Sequence, residues 1–151
     1  MLKMFKTAKS WFTEEERSRI ERAIRDAELE TSGEIRVHIE TRCLGEVLDR
    51  AAYIFEKLGM HKTEKRNGVL IYLALESRKF AFIGDIGINS VVPKDFWENL
   101  KMNALIHFRE GRFSDGLVEV INEIGHYLQK YFPIQRNDVN ELPNEISFGD
   151  E

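Results

Sequence analysis

Residues 67–89 constrain the fold more than any other stretch: N-G-V-L-I-Y-L-A-L-E-S-R-K-F-A-F-I-G-D-I-G-I-N. An Asn-Gly step opens an unbroken apolar run over residues 68–75, and Glu76-Ser77-Arg78-Lys79 closes it. The run is short for a buried helix and rich in Val, Ile and Tyr, which predicts a strand covered on both faces. A second such run follows at 80–83, and with four polar residues between them the two read as a β-hairpin. A strand buried on both sides needs a layer of structure above and below the sheet. The second run ends in Gly84-Asp85-Ile86-Gly87-Ile88, a carboxylate between two glycines at a strand end.

The segments before the hairpin supply those layers. Thr13 with Glu16 three residues on forms a capping-box signature, and Glu14, Glu15 and Glu16 suit the positive end of a helix. Ile20, Ala23, Ile24 and Ala27 then recur at helical spacing, and Ser32-Gly33 stops a helix predicted to end near Glu30. Residues 34–41 alternate. Ile35, Val37 and Ile39 face a core, while Arg36, His38 and Glu40 face the other way, as in a half-buried strand. Residues 46–58 return to helical spacing through Leu48, Ala51, Ala52, Phe55 and Leu58, with Gly59 as the residue past the end. Strand, helix, strand in that order predicts two parallel strands, to which the hairpin adds an antiparallel one.

After the hairpin, residues 89–93 read as a connector, with Pro93 opening the next helix. Phe96, Trp97, Leu100, Ala104, Leu105 and Phe108 give that helix a wide apolar face, broken at Glu110-Gly111. Ser114 is the expected cap of a last helix, with Phe113 as its staple, Leu117, Val120, Ile121, Ile124 and Leu128 inward, and Pro133 ending it near Tyr131. The expected architecture is α/β, a three-layer α/β/α sandwich around a mixed sheet. Its divisions are an N-terminal extension at 1–11, a single domain at 12–133 and an acidic tail at 134–151. Val139, Leu142, Ile146 and Phe148 either pin that tail to the body or leave it solvated.

Composition excludes several classes. Of 151 residues 32% are charged and the net charge is −4, with no basic cluster, which argues against nucleic acid as a partner. The lone Cys43 offers neither a disulfide framework nor a cysteine zinc site. Lys3, Lys6 and Lys9 interrupt the apolar N-terminus, so a signal peptide is not expected. No run approaches the ~20 apolar residues of a membrane span, and a cytoplasmic protein is the default. Met1, Leu2, Met4 and Phe5 among those lysines form the alternative of a short amphipathic contact.

Asp85 is the leading chemical candidate, because a carboxylate between glycines at a strand end suits an oxygen-ligand cation site or a phosphate-handling acid. The competing reading is an ordinary turn, where Asp and Gly are the commonest residues. With the strand directions above, Glu34, Asn67 and Asp85 return to one sheet edge. They are there as a group, or as three separate polar residues at strand ends. His38, His61, His107 and His126 lack metal spacing and read as satisfied histidines. Cys43 and the serines lack nucleophile motifs, and no glycine-rich phosphate loop opens a helix. Glu110-Gly111 reads as an interhelix turn, and Trp97 with Phe96 as core.

Five ordered blocks resemble the TPM domain family: F-T-E-E-E-R at 12–17, T-S-G-E-I-R-V at 31–37, R-N-G-V-L-I-Y-L-A at 66–74, F-I-G-D-I-G-I at 82–88 and F-R-E-G-R-F-S-D-G-L at 108–117. The chain is most similar to the short, stand-alone bacterial branch. The resemblance implies an α/β/α sandwich with a mixed sheet. Some relatives are described as acid phosphatases and some as binding calcium through acidic residues at the sheet edge. On this sequence that implies a calcium site at Asp85, Glu34 and Asn67. Many relatives carry Asp before the Asn-Gly step, where this chain has Arg66. Signal peptides and membrane helices, common among relatives, are not seen here, so a thylakoid or envelope role does not carry over. Three functions follow as expectations. One is a divalent-cation-binding accessory module that recognises a protein partner. The second is a metal-dependent acid phosphatase on phosphomonoesters, with Asp85 as nucleophile or ligand and Arg66, Arg109 or Arg112 steering phosphate. The third is a purely structural protein.

Overall fold

The computed structural model describes residues 7–134 and 142–149. The expected amphipathic contact of Met1, Leu2, Met4 and Phe5 lies outside these residues, as does Val139. The capping box forms: Glu16 N donates to Thr13 Oγ1 at 3.0 Å and Thr13 N donates to Glu16 Oε1 at 2.9 Å, launching α1 at Glu14–Glu28. Strand β1 (Glu34–Glu40), helix α2 (Val47–Lys57) and strand β2 (Gly68–Ala74) follow. Every residue of β2 is buried, as the unbroken apolar run predicts. A tight turn leads to β3 (Lys79–Gly84), then come α3 (Ile86–Asn89), α4 (Phe96–Arg109) and α5 (Phe113–Tyr131), and the chain returns as β4 (Ser147–Phe148).

The sheet order is β3-β2-β1-β4. β1 runs parallel to β2 and to β4, while β2 and β3 are antiparallel, so the predicted mixed sheet is present. Alternation along the strands feeds two cores. Ile35, Val37, Ile39, Val69, Ile71 and Leu73 pack with the apolar faces of α1, α4 and α5. On the other face Leu70, Tyr72 and Ala74 pack with Ala51, Ile54 and Phe55 of α2. Each fully buried Ile or Leu contributes about 1.5–3 kcal/mol of transfer free energy.

Several local expectations are corrected. The buried stripe of α2 is Ala51, Ile54 and Phe55, whereas Leu48 is 57% exposed and Ala52 is exposed. The helix is rotated so that its branched residues meet β2 and β3. Asp85 caps a helical turn at Ile86–Asn89, so of the expected connector at 89–93 only Asn89 is helical, and Pro93 precedes α4 by three residues rather than opening it. Ser114 is not the cap of α5. It lies inside the helix and its Oγ donates to Glu16 Oε2 at 3.0 Å, tying α5 to the start of α1. The supposed solvent face of β1 is closed: Glu34, His38 and Glu40 are all buried. Part of the tail docks, with β4 pairing on β1 and Ile146 buried. Among the described residues no helix is long and apolar enough to cross a membrane.

Candidate functional site

Register brings the three predicted residues to one edge of the sheet. Glu34 lies opposite Gly68, and Val69 opposite Gly84. Glu34 N donates to the Asn67 carbonyl at 3.2 Å, and Asp85 N donates to the Gly68 carbonyl at 3.0 Å. Gly87 N then donates to the Arg66 carbonyl at 2.9 Å, drawing the first turn of α3 against the segment that leads into β2. This approach requires glycine: a Cβ on Gly87 would stand 2.4 Å from the Lys65 carbonyl oxygen and 2.6 Å from that of Arg66.

Asp85 is buried and already engaged. Its Oδ1 accepts from Ile86 N at 2.7 Å, capping α3. Arg66 grips both carboxylate oxygens, Nε to Oδ2 at 2.7 Å and Nη2 to Oδ1 at 2.8 Å, a fork-on-fork pairing stronger than a neutral hydrogen bond. The hydrogen bonds from Arg66 to Asp85 push the guanidinium pKa further up. The turn and site readings of Asp85 therefore describe the same residue: it caps a helix and meets a cation, and that cation is Arg66.

Asn67 is almost wholly buried, at 1% exposure. Its Nδ2 donates to Ser32 Oγ at 3.3 Å, while its Oδ1 has no hydrogen-bond partner among the described residues. Such a buried acceptor costs stability unless something occupies it. Glu34 is buried at 2% exposure.

Glu28 is the acid that sequence reading missed. It ends α1, and residues 29–33 carry the chain directly back to β1. Glu28 Oε2 accepts from Ile35 N at 2.7 Å. Burial pushes its pKa up to about 8, with the charge of Glu34 adding to the rise and the Ile35 N–H opposing it. The signal was available: an acid seven residues before a strand residue, across a loop too short to let the helix end move away.

The three arginines proposed to steer phosphate do not gather. Arg66 alone is at this edge. Arg112 pairs with Glu110 at 3.0 Å in the α4–α5 turn. That turn abuts the start of β3 through the Phe80–Phe108 ring contact, the opposite end of the strand from Asp85. Arg109 closes α4 at the same turn. Among the described residues no three of His, Cys, Asp and Glu are grouped closely enough to hold a metal. The donor set at the edge is two carboxylates and one amide, all oxygen, which suits calcium or magnesium by type and requires Arg66 to yield Asp85.

A family model described as TPM domain matches residues 7–127. The NMR structure of BA42 protein from the psychrophilic bacterium Bizionia argentinensis is similar at 48% identity with a TM-score of 0.85, covering 91% of this chain and 95% of that one. The N-terminal domain of a protein from P. gingivalis aligns at 19% identity and TM-score 0.66 over 81% of this chain and 79% of its own. The N-terminal domain of cg2496 protein from Corynebacterium glutamicum aligns at 14% identity and TM-score 0.62 over 78% and 74%. The last two share the fold. No curated protein gives a match to the chain.

Proposed function

This chain belongs to the TPM domain family, and from that premise we propose that it is a binding module whose sheet edge takes up a divalent cation, calcium by donor type, in support of a protein–protein contact. The observation that carries this reading is the buried Oδ1 of Asn67, which has no hydrogen-bond partner among the described residues, at the edge that also holds Glu34 and Asp85. A hard cation takes oxygen ligands of these kinds. Arg66 stands as its competitor: it supplies the positive charge that Asp85 needs when no metal is bound. Cation uptake then exchanges one partner of Asp85 for another and frees a guanidinium at the surface, where a carboxylate on a partner can meet it.

A calcium titration followed by amide NMR shifts tests the reading. Shifts confined to Glu34, Asn67 and residues 84–88 support it, and none at millimolar calcium overturns it. The phosphomonoesterase alternative has less behind it, since only Arg66 of the three candidate arginines reaches this edge and it is committed to Asp85. Turnover of p-nitrophenyl phosphate that Asp85→Asn abolishes is the result that reverses this order.

A further inference from the structure

A second polar cluster lies on the α2 side of the sheet, in the region taken from sequence as a solvent face. Register sets Ser147 of β4 beside His38 of β1. The Ser147 Oγ is 2.9 Å from His38 Nδ1, and His38 Nε2 is 3.1 Å from Glu40 Oε1. Glu40 is held by four donors. Arg50 gives Nε to Oε2 at 2.9 Å and Nη2 to Oε1 at 2.6 Å, Tyr72 gives a short hydrogen bond to Oε2, and His38 gives the fourth. Burial alone raises the Glu40 pKa, but these donors outweigh it and hold the carboxyl at about 2. Glu40 is therefore an ionised acceptor at neutral pH.

That charge state fixes the histidine. A carboxylate only accepts, so His38 carries its proton on Nε2 and presents the Nδ1 lone pair to the Ser147 hydroxyl. The ring stacks on Tyr72, centroids 6.0 Å apart and planes 10° apart, which fixes its orientation. Burial lowers the His38 pKa despite Glu40, so the ring is a neutral base at pH 7. Ser147 is itself fixed: the adjacent Ile146 is buried and its N–H donates to Glu21 at 3.1 Å, while Gly149 N donates to the Ile39 carbonyl at 2.9 Å. A groove of about 440 Å³ opens on Ser147 and His38, and Arg42, Arg50 and Lys57 line it.

We propose that Ser147, His38 and Glu40 form a nucleophile–base–positioning set that performs acyl transfer on carboxylic esters bearing a negative charge. Ser147 Oγ attacks the ester carbonyl as its proton passes to His38 Nδ1. The C–O bond to the leaving alcohol breaks, and the alcohol departs with that proton. Water then repeats the exchange, releasing the carboxylic acid and restoring the hydroxyl. Ser147 and His38 are the catalytic residues. Glu40 positions the ring, and Arg50 and Tyr72 position Glu40. Arg50 is held by Glu40 and Arg42 by Glu76, and Lys57 on the same lining favours an anionic substrate tail. This set shares no residue with the cation edge and does not depend on that reading.

The full chain is incubated with a fluorophosphonate probe, the adduct is mapped by mass spectrometry, and release of p-nitrophenol is compared for p-nitrophenyl acetate and mono-p-nitrophenyl succinate. The expected result is an adduct on Ser147 that Ser147→Ala removes and that forms about a hundredfold more slowly in His38→Gln. The succinate ester turns over faster than the acetate. The labelling rate rises with pH to a plateau reached below the ordinary histidine value, whereas an unassisted hydroxyl keeps rising into alkaline pH. No adduct on Ser147, an equal rate in a folded His38→Gln protein, or a rate that rises without a plateau overturns the proposal. Circular dichroism confirms that each variant is folded.

Discussion

Raising the pH from 5 to 9 is predicted to destabilise this protein through one side chain, Glu28. Its carboxyl pKa sits at about 8 in the folded chain, against an ordinary 4.5 once unfolded. Below pH 4.5 both states hold the proton. Between 4.5 and 8 only the folded state does, so the unfolded state gains by releasing it and stability falls across that window. The interval, at ~1.4 kcal/mol per pH unit, sets a ceiling of ~5 kcal/mol. Glu28 keeps some contact with water, so about half, ~2–3 kcal/mol, is the expected loss. That is a large share of the ~5–15 kcal/mol that holds a domain together. Urea unfolding at pH 5, 7 and 9 measures it. Glu28→Gln keeps an oxygen for Ile35 N and cannot ionise, so its stability is flatter over the same range. Glu34→Gln removes the neighbouring charge and flattens the curve in part. If wild type and Glu28→Gln lose stability in parallel, Glu28 does not ionise late and the account of this edge is wrong.

Other perturbations have equally definite signs. Glu40 shows the opposite linkage: its pKa falls from 4.5 to about 2 on folding, so its contribution is complete above 4.5 and disappears as the pH drops through 2. Tyr72→Phe removes a buried donor to that carboxylate and is expected to cost about 1.5–3 kcal/mol in thermal or urea unfolding at pH 7. Gly87→Ala forces a Cβ into two carbonyl oxygens and is expected to cost about 1–3 kcal/mol, with amide shifts centred on residues 65–67 and 85–89. Thr13→Ala removes the cap of α1 and is expected to cost about 1 kcal/mol.

The hairpin and its burial were legible because an unbroken apolar run of strand length has few other solutions. Parallel pairing of β1 and β2 followed from the intervening helix, and with it the meeting of Glu34, Asn67 and Asp85 at one edge. What was hidden depended on contacts far apart in sequence. Alternation assigned Arg36, His38 and Glu40 to an outer face, but it carries no information on whether a later segment covers that face. Here α2, Tyr72 and the returning β4 do so, and His38 and Glu40 become part of a buried hydrogen-bonded network. Ser114 read as a cap because local patterns cannot show that Glu16, 98 residues earlier, will take its hydroxyl. Arg66 was visible as the residue beside the Asn-Gly step, but its hold on Asp85 needed the hairpin to close. Leu48 was counted inward because helical spacing fixes a stripe only to within neighbouring residues.

Calorimetric titration of calcium into Arg66→Ala, beside wild type and the Arg66→Ala/Asp85→Asn double variant, tests the central claim most directly. If Arg66 and a cation compete for Asp85, Arg66→Ala binds calcium more tightly than wild type by about tenfold or more, and the double variant loses the gain. If Arg66→Ala produces no binding heat while remaining folded, or if the double variant binds as well as the single, the sheet edge is a structural latch and the cation reading is contradicted.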